Sequence, residues 1–235
     1  MISKADIKKI RSLSQKKYRE EYGLFVVEGE KMVNESINSD YEVVAIYRVE
    51  DIGENVMSQI TQLSSPSPVL AVVKMRSRFE EGPLPQGLAI ALDSLRDPGN
   101  LGTIVRIADW FGVEQIYASK DTVDIYNPKV VQSTMGAIFR TKICYCDIAD
   151  VADRYIKSGR EVYGTFLEGD NIYQSELKGD GLIVMGSESN GIGSTMASKV
   201  TSKLFIPPYP RDCRSSESLN VAIATAITVS EFRRK

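Results

Sequence analysis

Three stretches of the sequence combine a hydrophobic run, a turn rich in glycine or proline, and a polar side chain able to act on a substrate. They are residues 88–103 with Asn100, residues 182–191 with Glu188, and residues 204–221 with Asn220. Open α/β sheets bind ligands where their strands give way to loops, so each stretch is a candidate position for chemistry. The chain has no histidine, which removes the commonest general base and the commonest metal ligand. Any chemistry must therefore use carboxylates, amides, hydroxyls and cations.

Arg106 belongs to a helix that we expect to begin at Asn100, after a proline–glycine turn. The side chain of Asn100 suits a helix N-cap. Arg106 lies about 140° round the helix from the apolar Leu101, at about 100° per residue, and on the same side as Trp110. Two interpretations are open: a functional arginine, or a surface arginine paired with Asp109 three residues further on. Periodicity alone favours the surface pair.

The other two stretches offer one carboxylate and one amide. Gly186 and Gly191 flank Glu188 and permit a close approach of the backbone to a ligand, but their spacing matches neither the dinucleotide nor the phosphate-loop pattern. Glu188 either contacts a substrate or cation, or simply solvates a turn. Ser218 has the properties of an ordinary N-cap, with Asn220 in the first turn of the helix that follows. These residues alone leave the function open.

The first nineteen residues are strongly basic, although the whole chain carries a net charge of −2. Seven cations stand there against the single carboxylate of Asp6: Lys4, Lys8, Lys9, Arg11, Lys16, Lys17 and Arg19. Such a segment can follow a phosphate backbone, or it can be the solvated face of a helix. Charge alone does not separate these two interpretations.

Composition bounds the class of protein. The chain has 235 residues and is 43% hydrophobic, as expected for a soluble globular protein. No apolar run approaches the roughly 18–20 residues of a membrane span, and no signal-peptide core is present. Three cysteines argue against a disulfide framework, and Cys144 and Cys146 fit one strand better than a metal site, which wants four ligands. We expect a cytoplasmic protein without a metal.

The chain divides into two α/β blocks. The first, residues 1–75, has strands at Leu24–Val27, Tyr41–Tyr47 and Val69–Val73, which alternate with helical patterns. Residues 76–87, rich in proline, glycine and charge, are expected to form a linker. The second block, residues 88–235, repeats the strand–helix rhythm on a larger scale.

The strands of the second block are near-continuous apolar runs, which favours a parallel sheet with helices on both faces. We expect strands at Leu88–Leu92, Gln115–Ala118, Lys142–Tyr145, Glu161–Thr165, Leu182–Met185 and Leu204–Ile206. Helices are expected at Asn100–Phe111, Pro128–Phe139, Ile148–Ser158, a short piece after Gly193, and Glu217–Phe232.

Taken together, the three stretches resemble the motifs of the SpoU (TrmH-like) family of RNA ribose methyltransferases, within the SPOUT superfamily. The motif Asn-x-Gly-x-x-x-Arg is similar to Asn100–Arg106, and Gly-x-Glu-x-x-Gly to Gly186–Gly191. An Ile-Pro pair followed by Ser-Leu-Asn-Val matches Ile206–Pro207 and Ser218–Val221. Ser133–Ala137 resembles a further family segment. Residues 1–75 look like the ribosomal-protein-like substrate-binding domain that often precedes this catalytic domain, mainly through Gly23–Gly29.

The resemblance implies a fold, a cofactor and a site. The implied fold is a mostly parallel α/β domain with a C-terminal trefoil knot, a topology otherwise nearly absent from proteins. The implied cofactor is S-adenosyl-L-methionine, held at Thr165, Leu167, Gly186, Ile206 and Leu219. The implied catalytic residues are Asn100, Arg106, Glu188, Ser218 and Asn220. RNA-binding cations are expected at Lys8, Lys9, Arg11, Lys16 and Lys17.

The family also implies a homodimer that pairs through the C-terminal domain and methylates structured RNA. The two-α/β-domain arrangement with a basic N-terminal helix favours ribosomal RNA over transfer RNA as the substrate. The alternatives are a non-catalytic RNA-binding or ribosome-assembly protein of the same fold, and a SPOUT enzyme that methylates a base nitrogen. The loop 207–217 is a few residues longer than the family pattern, and Arg211 and Arg214 within it are candidates for a further substrate contact.

Overall fold

The computed structural model describes residues 2–76, 82–210 and 218–234. Its contacts divide the chain into two compact units. One is Met1–Ser77 with Asp124–Arg140, and the other is Arg78–Val123 with Thr141–Lys235. No helix in the described ranges is long and apolar enough to cross a membrane. Arg211 and Arg214, together with most of the loop 207–217, lie outside the described residues.

The first unit contains a small antiparallel sheet with helices around it. Its strands are β1 (Leu24–Glu28), β2 (Val43–Arg48) and β3 (Val69–Lys74), in the order β1-β3-β2. Its helices are α1 (Lys4–Ser12), α2 (Lys16–Tyr22), α3 (Glu30–Ile37), α4 (Val49–Ile52), α5 (Glu54–Ile60) and α7 (Pro128–Thr134). The three strands expected from the sequence are present, with ends that differ by up to two residues.

Helix α7 is shorter than the expected Pro128–Phe139. It ends at Thr134 because Met135 and Gly136 take left-handed φ angles of 51° and 99°, which no α-helix continues. A Cβ added to Gly136 would lie 2.8 Å from the side chain of Glu35, so a glycine is required here. A 3-10 turn over Ala137–Phe139 follows.

Residues 124–140 pack with the N-terminal unit, although the sequence analysis assigned them to the block 88–235. Asp124 accepts a hydrogen bond of 2.7 Å from Arg19, and both side chains are almost fully buried. The rings of Phe25 and Tyr126 lie 4.7 Å apart between centroids. The aromatic contact and the buried ion pair join residues about a hundred positions apart, and local sequence periodicity carries no information about such contacts. The sequence therefore did not predict that residues 124–140 pack with the first unit.

The second unit is built on a seven-stranded sheet. Its strands are β4 (Leu88–Leu92), β5 (Gln115–Ala118), β6 (Lys142–Tyr145), β7 (Val162–Phe166), β8 (Asp170–Asn171), β9 (Gly181–Met185) and β10 (Ser202–Phe205). Its α-helices are α6 (Pro98–Trp110), α8 (Ile148–Lys157), α9 (Ser194–Ala197) and α10 (Val221–Arg233).

All the pairings of this sheet are parallel, in the order β6-β5-β4-β9-β7-β10-β8. Every residue of β4 and β9 is buried, which confirms the expectation of a parallel sheet from continuous apolar runs. The strands β4, β5 and β6 have the expected bounds. The order matters for function, because β4, β9, β7 and β10 are consecutive neighbours and their carboxyl ends meet at one edge.

Candidate active site

The three sequence motifs meet at this carboxyl edge of the second unit. Asn100 lies in the first turn of α6, after β4, and Glu188 lies in the loop after β9. The side-chain amide of Asn100 donates a 2.5 Å hydrogen bond to Oε1 of Glu188. The amide of Asn220 donates a 3.0 Å hydrogen bond to Oδ1 of Asn100. A continuous chain of polar contacts therefore runs from Asn220 through Asn100 to Glu188, across 120 residues of sequence.

Asn100 is not the N-cap of its helix, as the sequence analysis had it. Asp97 holds that position: its carboxylate accepts a 2.7 Å hydrogen bond from the backbone N–H of Asn100, and Pro98 occupies the first turn. Aspartate is among the best N-caps, and proline is well suited to the first helical position. Because Asp97 satisfies the backbone, the side chain of Asn100 is released to contact Glu188.

The start of α10 also differs from expectation. The cap is Asn220, not Ser218, because Oδ1 of Asn220 accepts hydrogen bonds of 3.0 and 3.3 Å from the backbone N–H groups of Ala222 and Ile223. Asn220 therefore has two tasks: its oxygen caps the helix while its amide contacts Asn100. Ser218 is exposed and described, but it is not part of this hydrogen-bonded chain.

Gly186 shapes the loop that carries Glu188. The loop closes on itself through paired backbone hydrogen bonds of 3.0 and 2.9 Å between Ser187 and Gly191. A Cβ built on Gly186 would lie 2.1 Å from the carbonyl carbon of Gly191, closer than any real side chain approaches. Only glycine fits, and the tight loop fixes where Glu188 projects.

Asp93 is a functional candidate that the sequence analysis missed. It follows β4, and its Oδ2 accepts a 2.7 Å hydrogen bond from the backbone N–H of Gly193, at the end of the Glu188 loop. Its neighbour Ser94 has a left-handed φ of 60° and donates its backbone N–H to Ser119 at 2.8 Å. Hydrogen bonds from Ser119 and Ser94 lower the pKa of Asp121. The polar run after β4 was the available signal, but its partners are distant in sequence.

The expected cofactor residues gather at the same edge. Thr165 is the penultimate residue of β7, and its hydroxyl donates to the carbonyl of Val184 on the neighbouring strand at 3.4 Å. Ile206 follows β10 and is half-buried. Leu167 and Leu219 are 67% and 47% exposed, which is unusual for leucine beside a buried sheet. Uncovered apolar side chains next to backbone and hydroxyl groups suit a ligand that is part apolar and part polar.

Arg106 lies apart from this hydrogen-bonded chain. It is exposed on α6, and about 9 Å along the helix axis separates it from Asn100 at 1.5 Å per residue. The pairing with Asp109 is not observed, and none of the described residues forms a hydrogen bond or ion pair with its guanidinium. Its side of the helix also bears Trp110, which is 85% exposed. Arg106 is therefore a cation available to a ligand.

A cleft of about 400 Å³ opens beside the site, at the carboxyl ends of β4, β5 and β6. Asp93 and Gly193 line it on the side of the Glu188 loop, and Ser119 and Lys120 line it on the other. None of the sequence-predicted catalytic or cofactor residues lines this cleft. Among the described residues, no cluster of three or more His, Cys, Asp or Glu side chains is arranged to hold a metal ion.

The five predicted RNA-binding cations lie at the surface of the first unit, and their role stays a prediction. Lys8, Lys9, Arg11, Lys16 and Lys17 are all exposed, as an RNA-binding role requires. Arg19 differs from them: it is 2% exposed and also donates to the carbonyls of Leu13 and Ser14 at 3.0 and 2.9 Å. It stabilises the fold, and its charge is not available to a phosphate.

The chain is similar to known families and to solved structures over most of its length. The model of the SpoU rRNA methylase family matches residues 87–230, and that of the MRM3-like substrate binding domain matches residues 4–72. The 23S rRNA (guanosine(2553)-2′-O)-methyltransferase RlmP of Bacillus subtilis is 28% identical over 97% of this chain and 95% of its own length.

The solved structures that resemble almost the whole chain include two with TM-scores of 0.85 or more. One, from Porphyromonas gingivalis and assigned to the TrmH family of RNA methyltransferases, has a TM-score of 0.87 and 35% identity, and covers 99% of this chain and 98% of the other. The other is an rRNA methyltransferase of Sinorhizobium meliloti with AdoMet bound, with a TM-score of 0.85, 28% identity, and coverage of 99% and 95%.

Proposed function

Because the chain belongs to the SpoU rRNA methylase family, we propose that it methylates a ribose 2′-hydroxyl of ribosomal RNA at the edge formed by Asn100, Glu188 and Asn220. The protein is an S-adenosylmethionine-dependent RNA 2′-O-methyltransferase; the RNA and the residue roles are the proposal. The observation that carries it is the hydrogen-bonded chain from Asn220 through Asn100 to Glu188. It joins one residue from each of three motifs that are distant in sequence.

The cofactor supplies an activated methyl group on a sulfonium, which is a good leaving group. The protein must therefore hold the hydroxyl in line with that group and assist the loss of its proton. Thr165, Gly186, Ile206, Leu167 and Leu219 are the residues that would hold the cofactor. Their exposed apolar surface and the backbone at the ends of β7, β9 and β10 fit a molecule with an adenine ring and a polar amino-acid end.

Arg106 binds the RNA in this mechanism. A guanidinium has a pKa above about 12, so it is a poor resident base, but it is well suited to a phosphate next to the target ribose. Asn100 and Asn220 orient the substrate, and Glu188 fixes the rotamer of Asn100 by accepting its hydrogen bond. Ser218, two residues before Asn220, is assigned a supporting contact to the substrate.

The preference for ribosomal over transfer RNA rests on the first unit and on the whole-length relative. A substrate-binding domain model matches residues 4–72, and that part of the chain carries the exposed cations. The Bacillus subtilis relative, which spans nearly the same length, is named for 23S ribosomal RNA. Phosphate contacts by lysine and arginine position an RNA without reading its sequence.

We also expect a homodimer through the second unit. Trp110 on α6 and Ile223 on α10 are 85% and 55% exposed, and these two helices pack together. Large apolar side chains exposed on the two helices are candidates for an interface between chains. Light scattering on the wild-type protein and on Ile223→Glu tests this: a monomeric wild type contradicts it. The trefoil knot and the cytoplasmic location expected from the sequence stay predictions.

One experiment tests the substrate directly. Ribose 2′-O-methyl sites are mapped in ribosomal and transfer RNA from cells with and without this protein. The cells that lack the protein are then complemented with the wild-type gene or with a gene that encodes Arg106→Ala, and the sites are mapped again. We expect a single ribosomal site to disappear and to return only with the wild type. Loss of a transfer-RNA site instead would show that the substrate is transfer RNA. No change in either RNA would contradict the proposed methylation of RNA.

A further inference from the structure

Two tyrosines on helix α2 form a surface that the proposed catalytic site does not use. Tyr18 and Tyr22 are four residues apart, so their side chains emerge on one face of the helix. Their rings are nearly parallel, at 16°, with centroids 6.2 Å apart. Tyr18 is half-buried and Tyr22 is 39% exposed. The pair thus presents flat aromatic surface to solvent.

Two lysines flank these rings. Lys9 Nζ lies 4.9 Å from the ring centroid of Tyr22, and Lys17 Nζ lies 5.7 Å from that of Tyr18. Both lysines are exposed, and their contacts with the rings are cation–π interactions of modest strength at such sites. We name Lys9, Lys17, Tyr18 and Tyr22 together the tyrosine–lysine surface.

This surface is separate from the hydrophobic core of the unit. The core around β1 and β3 is formed by side chains such as Ile10, Leu13, Met57 and Ile60, and neither tyrosine belongs to it. The residue of α2 that is buried is Arg19. Removing a tyrosine ring therefore leaves the packing of the sheet and the Arg19 contacts in place.

We propose that Tyr18 and Tyr22 stack against an unpaired base of the RNA substrate while Lys9 and Lys17 bind the adjacent phosphates. This inference rests on the proposed function, because it needs an RNA ligand. Proteins bind single strands by combining cations that follow the backbone with aromatic rings that stack on the bases, and RNA recognition favours loops and bulges whose bases are free to stack. A lysine that lies over a ring in the free protein needs to move only a few ångströms to reach a phosphate.

The chemistry distinguishes this ligand from a protein partner. The charged groups that lie over the two rings are both cations, and Lys8, Arg11 and Lys16 add exposed positive charge nearby in sequence. Glu20 and Glu21 are the exposed carboxylates of α2, and Glu20 lies 4.0 Å from Lys16. A surface of two aromatic rings among cations matches a polyanion with flat, apolar bases, and it matches a double-stranded RNA less well, since paired bases are not free to stack.

The test compares two RNA probes of equal length and charge in the full-length protein. One is a hairpin with an unpaired loop, and the other is a fully paired duplex. We expect Tyr22→Ala to weaken hairpin binding about tenfold, since stacking is worth about 1–3 kcal/mol per base, and to leave duplex binding unchanged. Tyr22→Phe keeps the ring and should bind like the wild type, whereas Tyr22→Leu should behave like the alanine variant. Tyr173→Ala, which removes a 47% exposed tyrosine of the other unit, is the matched control.

The charge contribution separates from stacking by its salt dependence. Lys9→Gln should reduce the slope of log affinity against log salt by about 0.7, the value for one phosphate of a single strand, and Tyr22→Ala should leave the slope unchanged. Equal loss of hairpin and duplex binding in Tyr22→Ala, or no loss in either, would overturn the inference.

Failure of the proposed function is recognised separately. If the wild type binds neither RNA but binds S-adenosylmethionine in calorimetry, the RNA substrate claim fails together with this inference. If the wild type binds and methylates RNA while the tyrosine variants match it on both probes, only the tyrosine–lysine surface is refuted. Circular dichroism of Tyr22→Leu and Tyr22→Ala establishes that both variants are folded.

Discussion

The catalytic edge and the basic N-terminal surface differ in how firmly their side chains are held by neighbouring residues. At the edge, Asn100, Glu188 and Asn220 hold one another by hydrogen bonds of 2.5 and 3.0 Å. On the N-terminal surface, cations such as Lys8 and Arg11 are exposed to solvent. Methyl transfer needs a fixed direction of attack, whereas attraction of a phosphate backbone needs only charge. Variants at the edge should therefore change rate constants, and variants on the surface should change affinity and its salt dependence.

Arg106 provides the largest expected effect, because it is a cation placed with the catalytic motifs and not on the basic surface. We expect Arg106→Ala to lower methyl transfer at saturating RNA by about a hundredfold, the loss expected when the reacting hydroxyl is no longer held in line with the methyl donor, with cofactor affinity retained. Arg106→Lys should also methylate RNA slowly, since a lysine cannot reproduce the planar, bidentate contact of a guanidinium with a phosphate. The measurements are single-turnover methylation and calorimetry with S-adenosylmethionine. If Arg106→Ala lowered only the affinity for RNA and left the rate of methyl transfer unchanged, Arg106 would have the same role as the cations of the basic surface.

Gly186 comes next, because it tests whether the edge depends on backbone shape. In Gly186→Ala the new Cβ would lie 2.1 Å from the carbonyl carbon of Gly191, so the loop must shift. Overpacking of this kind costs about 1–3 kcal/mol, and the displaced loop should weaken cofactor binding about tenfold or more. Gly179→Ala is the control, since nothing lies within 4 Å of its Cβ. Equal cofactor affinity and melting temperature in the two variants would contradict a shape-dependent edge.

The two asparagines of the active site differ in one respect: Asn220 also caps a helix, and Asn100 does not. Asn220→Ala removes a helix cap as well as the contact to Asn100, so it should lower activity and cost about 1 kcal/mol of stability. Asn100→Ala should lower activity to a similar extent, about tenfold, with the melting temperature unchanged, because Asp97 caps that helix. Activity and differential scanning calorimetry of both single variants and the double variant check this. Additive losses of activity would show that the two amides act independently.

The sequence predicted the strands better than it predicted helix starts. Strands β4, β5 and β6 have the expected bounds because each is a short apolar run between clear breakers. The starts of α6 and α10 were misplaced, because Asp97 and Asn100, or Ser218 and Asn220, are equally good N-caps within a few residues. Only the distant contact between Asn100 and Asn220 decides between them.

Long-range partners account for the other omissions. Asp93 becomes recognisable as a positioning residue only when Gly193, a hundred residues later, is placed beside it. Arg19 was counted in the basic segment of residues 1–19 because its charge is visible in the sequence, whereas its burial against Asp124 is not. The family motifs brought the correct residues to attention, since their order reflects which strand ends must meet. They could not assign each side chain its hydrogen bond.

Charge removal on the N-terminal surface should have a smaller, purely electrostatic effect. We expect the double variant Lys8→Gln, Lys16→Gln to lower RNA affinity at low salt and to reduce the salt slope by about 1.4 for single-stranded contacts, which is two phosphates at about 0.7 each. The rate at saturating RNA should be unchanged. Titrations at several salt concentrations and single-turnover rates test this. An unchanged slope, or a reduced rate at saturation, would contradict the division between edge and surface.

The smallest expected effect is on the pH dependence of stability, and it comes from Glu28. Like Glu188, Glu28 lies where a hydrophobic strand meets a glycine turn, but it has a different role. Glu28 is 4% exposed and accepts hydrogen bonds from the hydroxyl of Thr61 and the backbone N–H of Gln62, at 2.6 and 2.7 Å. Burial raises its pKa above the usual 4.5 in spite of these bonds. The folded state thus binds more protons than the unfolded state between 4.5 and the raised value.

The free energy of unfolding of the wild type should therefore decrease as the pH rises through that window, and Glu28→Gln should remove this part of the pH dependence. Methylation at a fixed pH should be unaffected, because Glu28 belongs to the fold of the first unit. In Glu188→Gln we expect impaired methylation, since a neutral amide oxygen accepts a weaker hydrogen bond from Asn100 than a carboxylate does. Melting temperatures of the wild type and of Glu28→Gln across the window, and methylation rates of both variants, test these expectations. An equal pH dependence in Glu28→Gln and the wild type would mean that the buried carboxylate is ionised throughout and stabilised fully by Thr61 and Gln62.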